Sequence, residues 1–267
     1  MMTFTFFEPT KQLKPHVVGY LEADSRKSLA NSTYTLFPNG YSGIFFNFGN
    51  FGKLAIKEEY QTPAVSIFGQ IDQCFEAIHR PSSYSLGVLL RPTVLSKFLR
   101  EDMAAFTNKA FDGGDIRHDL KILWTQLEEI HLVKHKIELL NHFFAEAFIH
   151  LPQTVTIADA ALNLIHQPGL PSIKNLANHL QVSERYLETQ FKKYVGLSPK
   201  TYSLIVRFKR IEQQLHTKST THWAKLGFAG EYYDQNHFIK DFKRFTGHTP
   251  SDYLLSNLEM GRSYLVR

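Results

Sequence analysis

Two stretches of this chain concentrate side chains suited to hydrogen bonding along a patterned, negatively charged surface. In the first, Leu187 and Phe191 fall one helical turn apart and must face a core, which leaves Glu184, Arg185, Glu188, Thr189 and Lys192 on the open side. Arginine can give two parallel hydrogen bonds to a guanine edge, glutamate can accept from the cytosine amine, and threonine can offer its methyl to thymine. Lys192 and Lys193, one turn on, suit phosphate. In the second stretch Phe238 and Phe242 turn inward and Gln235, Asn236, His237, Ile239 and Lys240 turn outward. Gln and Asn match adenine, Ile239 matches a thymine methyl, and Lys243 and Arg244 would neutralise phosphates. Arg207 and Arg210, between the stretches, are open to either a phosphate contact or a structural ion pair.

The elements that must position these residues are written twice. Ser183 to Tyr202, SERYLETQFKKYVGLSPKTY, is echoed ~50 residues later by DQNHFIKDFKRFTGHTPSDY, from Asp234 to Tyr253. Ser183 and Asp234 can each N-cap a helix, which stops at Gly196 or Gly247. Ser198-Pro199 and Thr249-Pro250 then start another helix at once. A shorter helix is predicted upstream of each copy, Ile173 to Leu180 capped by Ser172, and Trp223 to Gly230 after Thr220 or Thr221. The helix from Ser198 to about His216 joins the copies and carries Leu204, Phe208, Ile211 and Leu215 on one face. Its ~18 residues span roughly 27 Å, close to the ~34 Å of one turn of B-DNA. One chain could then address two successive major grooves.

In its last ~100 residues the chain resembles the DNA-binding domain of the AraC/XylS-type bacterial transcription regulators, which carries two helix-turn-helix units joined by a long helix. The resemblance rests on the Phe-Lys-x-x-x-Gly-x-x-Pro-x-x-Tyr frame present in both copies. It implies that Arg185, Glu188 and Thr189 face base edges in one groove, and that the exposed residues from Gln235 to Lys240 do so in the next. Double-stranded DNA is the implied partner, and no cofactor is implied. A small-molecule effector, a second copy of the chain and, for an activator, RNA polymerase are further partners that the resemblance leaves open. The chain departs from the family where an alanine and a turn glycine are usual, because Gly227 and Glu231 stand there. Gly230 is then the expected turn residue, shifted by one, since a glutamate at positive φ would be strained.

Composition agrees with two domains of ordinary size. The 267 residues are 43% hydrophobic and 21% charged, with a net charge of +5. From residue 160 onward about 15 Lys+Arg face about 8 Asp+Glu, so the excess of positive charge lies with the repeat. The single cysteine, Cys74, excludes an intramolecular disulfide framework. No apolar run approaches the ~18 residues of a membrane span, and the first residues lack the pattern of a signal peptide. A cytoplasmic protein without a membrane partner is expected.

The fold class expected is α+β, an N-terminal β-rich barrel or sandwich with appended helices followed by an all-α double helix-turn-helix domain. Strands are predicted at Thr33 to Pro38, Gly43 to Gly49, Lys53 to Tyr60, Ala64 to Gln70, Cys74 to His79 and Tyr84 to Pro92. Helical periodicity follows, in Val94 to Leu99, Leu120 to Ile130 and Ile137 to Phe148, with Gly113-Gly114 as a break. Residues 1–152 are expected to form an effector or dimerisation domain, and residues 153–267, opened by a helix from Ile157 to His166, the DNA-binding domain. FPNGYSGIFFNFG and GVLLRPTVLSKFL are similar to parts of the N-terminal domain in one subset of AraC-like regulators. Phe37, Tyr41, Phe45, Phe46, Phe48, Phe68 and Phe75 could line a pocket or form core.

Other chemistry is sparse. Glu128, His131 and His135 have helical spacing compatible with a metal, yet such a triplet on a charged helix is more often solvated. Cys74, Glu76 and His79 alternate irregularly along one strand. No Gly-rich phosphate loop or Gly-x-Ser-x-Gly elbow occurs, and nothing argues for catalysis. The alternative from another class is a β-barrel enzyme or metal-binding protein that the C-terminal module targets to DNA.

Overall fold

The computed structural model of the chain describes residues 2–49, 52–55, 59–167, 169, 172–217 and 235–255. Its strands are β1 (Thr3–Phe7), β2 (Val17–Asp24), β3 (Ser32–Leu36), β4 (Ser42–Gly49), β5 (Lys53–Ala55), β6 (Glu59–Gln61), β7 (Val65–Phe68), β8 (Phe75–His79), β9 (Ser83–Leu90) and β10 (Ala110–Asp112). They form an antiparallel six-stranded sheet in the order β1-β2-β9-β4-β7-β10 and a four-stranded sheet in the order β3-β8-β5-β6. The expected single strand from Lys53 to Tyr60 is two short strands paired as a hairpin, with Lys53 opposite Gln61. β1, β2 and β10 join the predicted set; β2 and β10 pair with the remote strands β9 and β7, and β1 lies at the edge against β2. β2 pairs with β9, more than sixty residues on, and Gly19 lies beneath the Phe6 ring, which a Cβ at that position would overlap.

The central strands are buried on both faces, and each face does something different. On β4 and β9, Ile44, Phe46, Leu86, Val88 and Leu90 point one way, into a core closed by α1 (Val94–Leu99), α3 (His118–Glu129) and α4 (Val133–Ile149). Leu120, Leu123, Leu140 and Phe144 from those helices are fully or almost fully buried there. The alternate residues, Gly43, Phe45, Asn47, Ser85 and Leu89, face the four-stranded sheet across a cavity. Gly43 and Gly87 make room for the Phe45 ring on that face, since a Cβ on either would strike it. Gly113-Gly114, expected as a break, begins the one-turn α2 (Gly113–Ile116), which Asp112 caps.

A second core gathers the helices that follow: α5 (Ile157–Ile165), α6 (Ile173–His179), α7 (Glu184–Val195), α8 (Pro199–Thr217) and α9 (Gln235–Thr246). The buried face of α8 is broader than the expected stripe. Tyr202, Ile205, Val206, Phe208 and Ile211 are all buried and Leu204 is only half-buried, because the helix has neighbours on more than one side. The helix expected at Trp223 to Gly230 lies outside the described residues, as do Gly227, Gly230 and Glu231.

The β-rich body holds the helical part at several points. Asp159, in the first turn of α5, accepts from Thr93 Oγ1 at 2.5 Å and from Lys97 Nζ at 2.8 Å, while also closing a capping box with Thr156. Burial would raise the Asp159 pKa, but the hydrogen bonds from Lys97, Thr93 and Thr156 outweigh it and hold the group below the usual carboxylate value. A depressed folded pKa gives stability that is present above the unfolded value of about 4 and lost as pH falls through the folded one. Asp159→Ala is therefore expected to cost about 2 kcal/mol at pH 7 in denaturant unfolding, and much less near pH 2. An equal cost at both pH values would contradict an ionised Asp159.

Candidate nucleic-acid interface

The first candidate surface is built on α7. Ser183 Oγ accepts from the Tyr186 amide at 3.2 Å, as expected for its cap, and the helix ends at Gly196 with φ +93°. That glycine needs both its left-handed backbone and its lack of a side chain, since a Cβ would come within 2.8 Å of the Met103 carbonyl. Thr107 Oγ1 donates to the Gly196 carbonyl at 2.5 Å, so the turn after α7 is pinned to the β-rich body. Leu187, Phe191 and Val195 are buried at helical spacing. Opposite them, Arg185, Glu188, Thr189, Lys192 and Lys193 are all exposed.

Arg185, Glu188, Thr189 and Lys192 occupy steps of three, one and three and so share one stripe. The Thr189 hydroxyl donates to the Arg185 carbonyl at 2.9 Å. Its donor is thus used within the helix, which leaves the methyl and the acceptor side of the hydroxyl oxygen. Tyr186, 48% exposed beside Arg185, is a surface residue that the sequence pattern does not mark. An aromatic at this position reads as core until the neighbouring Leu187 is seen to take that role.

The second surface is built on α9. Phe238, Phe242 and Phe245 are buried, and the helix ends at Gly247 with φ +79°. Thr249 Oγ1 accepts from the Asp252 amide at 3.2 Å, capping the closing helix Pro250–Leu255. Asn236, His237 and Lys240 are exposed. Ile239 is half-buried against the helical core, so less of it is available than its outward assignment implies. The side chain of Gln235 lies outside the described residues.

The basic residues divide. Lys243 is exposed, while Arg244 reaches back to the β-rich body and pairs with Asp72 at 2.6 Å. Asp72 is itself fixed by Asn108, whose amide donates to Asp72 Oδ1 at 2.8 Å. Arg210 donates to the carbonyls of His166 and Gln167 at 3.0 and 3.1 Å, tying α8 to the end of α5. Glu128, His131 and His135 do not share a helix. They fall on α3, the connector and α4, so the helical spacing read from the sequence is broken.

Two family models match separate parts of the chain. Residues 176–256 match a family described as a helix-turn-helix domain, and residues 5–112 match one described as a domain of unknown function, DUF6597. The raffinose operon transcriptional regulatory protein RafR of Pediococcus pentosaceus is 33% identical over 82 residues, 31% of this chain and 29% of that protein. The chain thus spans under a third of that relative's length. ToxT from Vibrio cholerae O395 superposes with a TM-score of 0.45 at 13% identity, covering 88% of this chain and all of the other. Unsaturated fatty acid bound ToxT from Vibrio cholerae strain SCE256 gives a TM-score of 0.42 at 16% identity over 84% of this chain and 94% of that one. No helix among the described residues is long and apolar enough to cross a membrane.

The Asp72 carboxylate holds the Arg244 guanidinium against the β-rich body and competes with a phosphate for it. Asp72→Asn is expected to tighten binding to duplex DNA several-fold at low salt and to steepen the dependence of log K on log salt by about one. Fluorescence anisotropy across a salt series measures both. Unchanged affinity and slope would mean that Arg244 does not reach the nucleic acid.

Proposed function

With an AraC/XylS-type helix-turn-helix domain in its C-terminal part as the premise, we propose that this chain is a sequence-specific DNA-binding transcription regulator. Residues 153–267 form the DNA-binding unit, and residues 1–152 the sensing or dimerisation unit. The observation that supports this best is the exposed Arg185-Glu188-Thr189-Lys192 stripe on a helix capped by Ser183 and seated on Leu187, Phe191 and Val195. Such a helix enters the major groove with base-reading side chains near its start and phosphate contacts further along. A second exposed set, Asn236, His237 and Lys240, sits on α9 at the same register of the repeat.

α8 sets the spacing. Its 19 residues span about 28 Å, enough to place two recognition helices in successive major grooves. One chain then covers two half-sites, and a second copy is not needed for a bipartite contact. The likeness to RafR, a transcriptional regulatory protein by name, favours the same reading. Small-molecule sensing fits the β-rich unit because its inner strand faces enclose a cavity in contact with the helical part.

Two substitutions separate base reading from phosphate holding. Arg185→Ala is expected to lose about 1–3 kcal/mol at the preferred site and to relax sequence preference at one position. Lys192→Ala should weaken all sequences alike and flatten the salt slope by about one. Competition against a randomised site library checks both, and indistinguishable profiles would contradict the assignment.

A further inference from the structure

A cleft of about 320 Å³ lies where the β-rich body, α5 and the connector between α4 and α5 meet, away from the space between the sheets. The body contributes His16, just ahead of β2, and the run from Arg91 into α1. The connector contributes residues 151–155, and α5 with its C-terminal cap contributes Asp159, Leu162, Asn163 and His166. Pro15, Pro92, Val94, Leu151, Val155 and Leu162 supply apolar surface. The volume is about twice the ~150 Å³ that accommodates benzene, so an apolar body of about two rings fits.

Its charges do not cancel. Arg91, Lys97 and Asp159 are the charged groups among the described lining residues. Lys97 Nζ donates to Asp159 Oδ2 at 2.8 Å, and the same carboxylate accepts from Thr93 and Thr156, so this pair is satisfied and neutral as a unit. Arg91 supplies the net positive charge. Its Nε donates to the Lys14 carbonyl at 3.0 Å and its amide to the His16 carbonyl at 2.9 Å, which fixes the residue without bringing it a counter-charge.

Two imidazoles line the same cleft, one from the body and one from the end of α5. The His16 ring lies edge-on to Phe148 of α4, with centroids 5.4 Å apart. His166 Nε2 is 3.2 Å from the Tyr202 hydroxyl, which holds that ring and leaves Nδ1 for another partner. Burial lowers the pKa of both, with Lys97 and Arg91 adding to it at His16, and Lys209, Arg210 and Arg91 at His166. Arg91 therefore acts on both rings. A carboxylate placed beside it would offset that repulsion and raise both imidazoles toward the charged form. Asp159, bound to Lys97, does not take that place.

We propose that this cleft binds a small carboxylic acid with an apolar body of about two rings, its carboxylate held by Arg91 between His16 and His166. A single negative charge matches the one net positive charge of the lining. A phosphate ester would bring a second negative charge that the resting site leaves uncompensated. The bound acid would bridge the β-rich body and α5. The site stands on this geometry alone and does not rest on DNA binding.

Calorimetry on the full chain with naphthoate, the neutral naphthamide and naphthyl phosphate tests the ligand class. Naphthoate is expected to bind at least tenfold more tightly than naphthamide, through charge-assisted hydrogen bonds that the amide lacks, and more tightly than the phosphate. Since binding raises the imidazole pKa values, naphthoate should be taken up together with protons and bind more tightly at about pH 6 than at about pH 8. Titrations in buffers of different ionisation enthalpy read the proton uptake. Arg91→Gln, at an exposed position, should bring naphthoate to the affinity of naphthamide and leave naphthamide unchanged. His16→Gln combined with His166→Gln should abolish the proton uptake. If that double variant does not fold, the wild-type panel and Arg91→Gln still decide. Absence of naphthoate binding, equal affinity for acid and amide, tighter binding of the phosphate, no proton uptake, or indifference to Arg91→Gln would each overturn the site.

Discussion

Phe208 is the contact on which the arrangement turns. It lies on α8 almost fully buried, with ring centroids 5.7 Å from Phe242 and 5.2 Å from Phe245 on α9 and 6.4 Å from Phe37 of the β-rich body. One side chain thus seats α9 on α8 and joins both to the wall of the cavity. Truncating such a residue removes contacts on three sides at once, where neither a shift of α9 nor of the Phe37 segment alone can refill the space. The first copy is anchored differently. Phe191 packs against Tyr202, and the turn at Gly196 is held by Thr107.

The helical part was legible in the sequence because its signals are local. Caps at Ser172, Ser183 and Thr249, and glycines at 196 and 247, decide a helix end within a few residues, and each falls where the repeat places it. The β-rich part was legible only where alternation was strong. β2 escaped because Gly19 and the polar Glu22 and Asp24 blur its pattern, and its strand character comes from β9. The aromatic set from Phe37 to Phe75 left core and pocket open as alternatives. Both are present: Phe46 and Phe48 face the helices, whereas Phe37, Tyr41, Phe45, Phe68 and Phe75 face the cavity. A period of two cannot by itself say what lies beyond each face.

Contacts made by charged residues were the least legible. Arg244 belongs to a basic pair on a helix exposed to solvent, and nothing within its own stretch indicates Asp72, which is 172 residues away. Lys136 gives a comparable case. It is buried on α4, its amine donates to the Leu127 carbonyl at the end of α3, and it lies over the rings of Phe48 and Tyr84. Burial lowers its pKa, and its amine joins the Ile130 amide on the Leu127 carbonyl at that helix end. The exposed stripe on α7 was legible for the opposite reason, since exposure there follows directly from the burial of Leu187 and Phe191.

The central claim is that one chain reads DNA with two recognition helices set by the length of α8. Hydroxyl-radical footprinting of the full chain on a selected duplex, at a measured stoichiometry, tests this most directly. The account predicts one chain per site and two protected patches on the same face of the duplex, about 10 base pairs apart. A single protected patch per chain, or two patches only when two chains are bound, would contradict it.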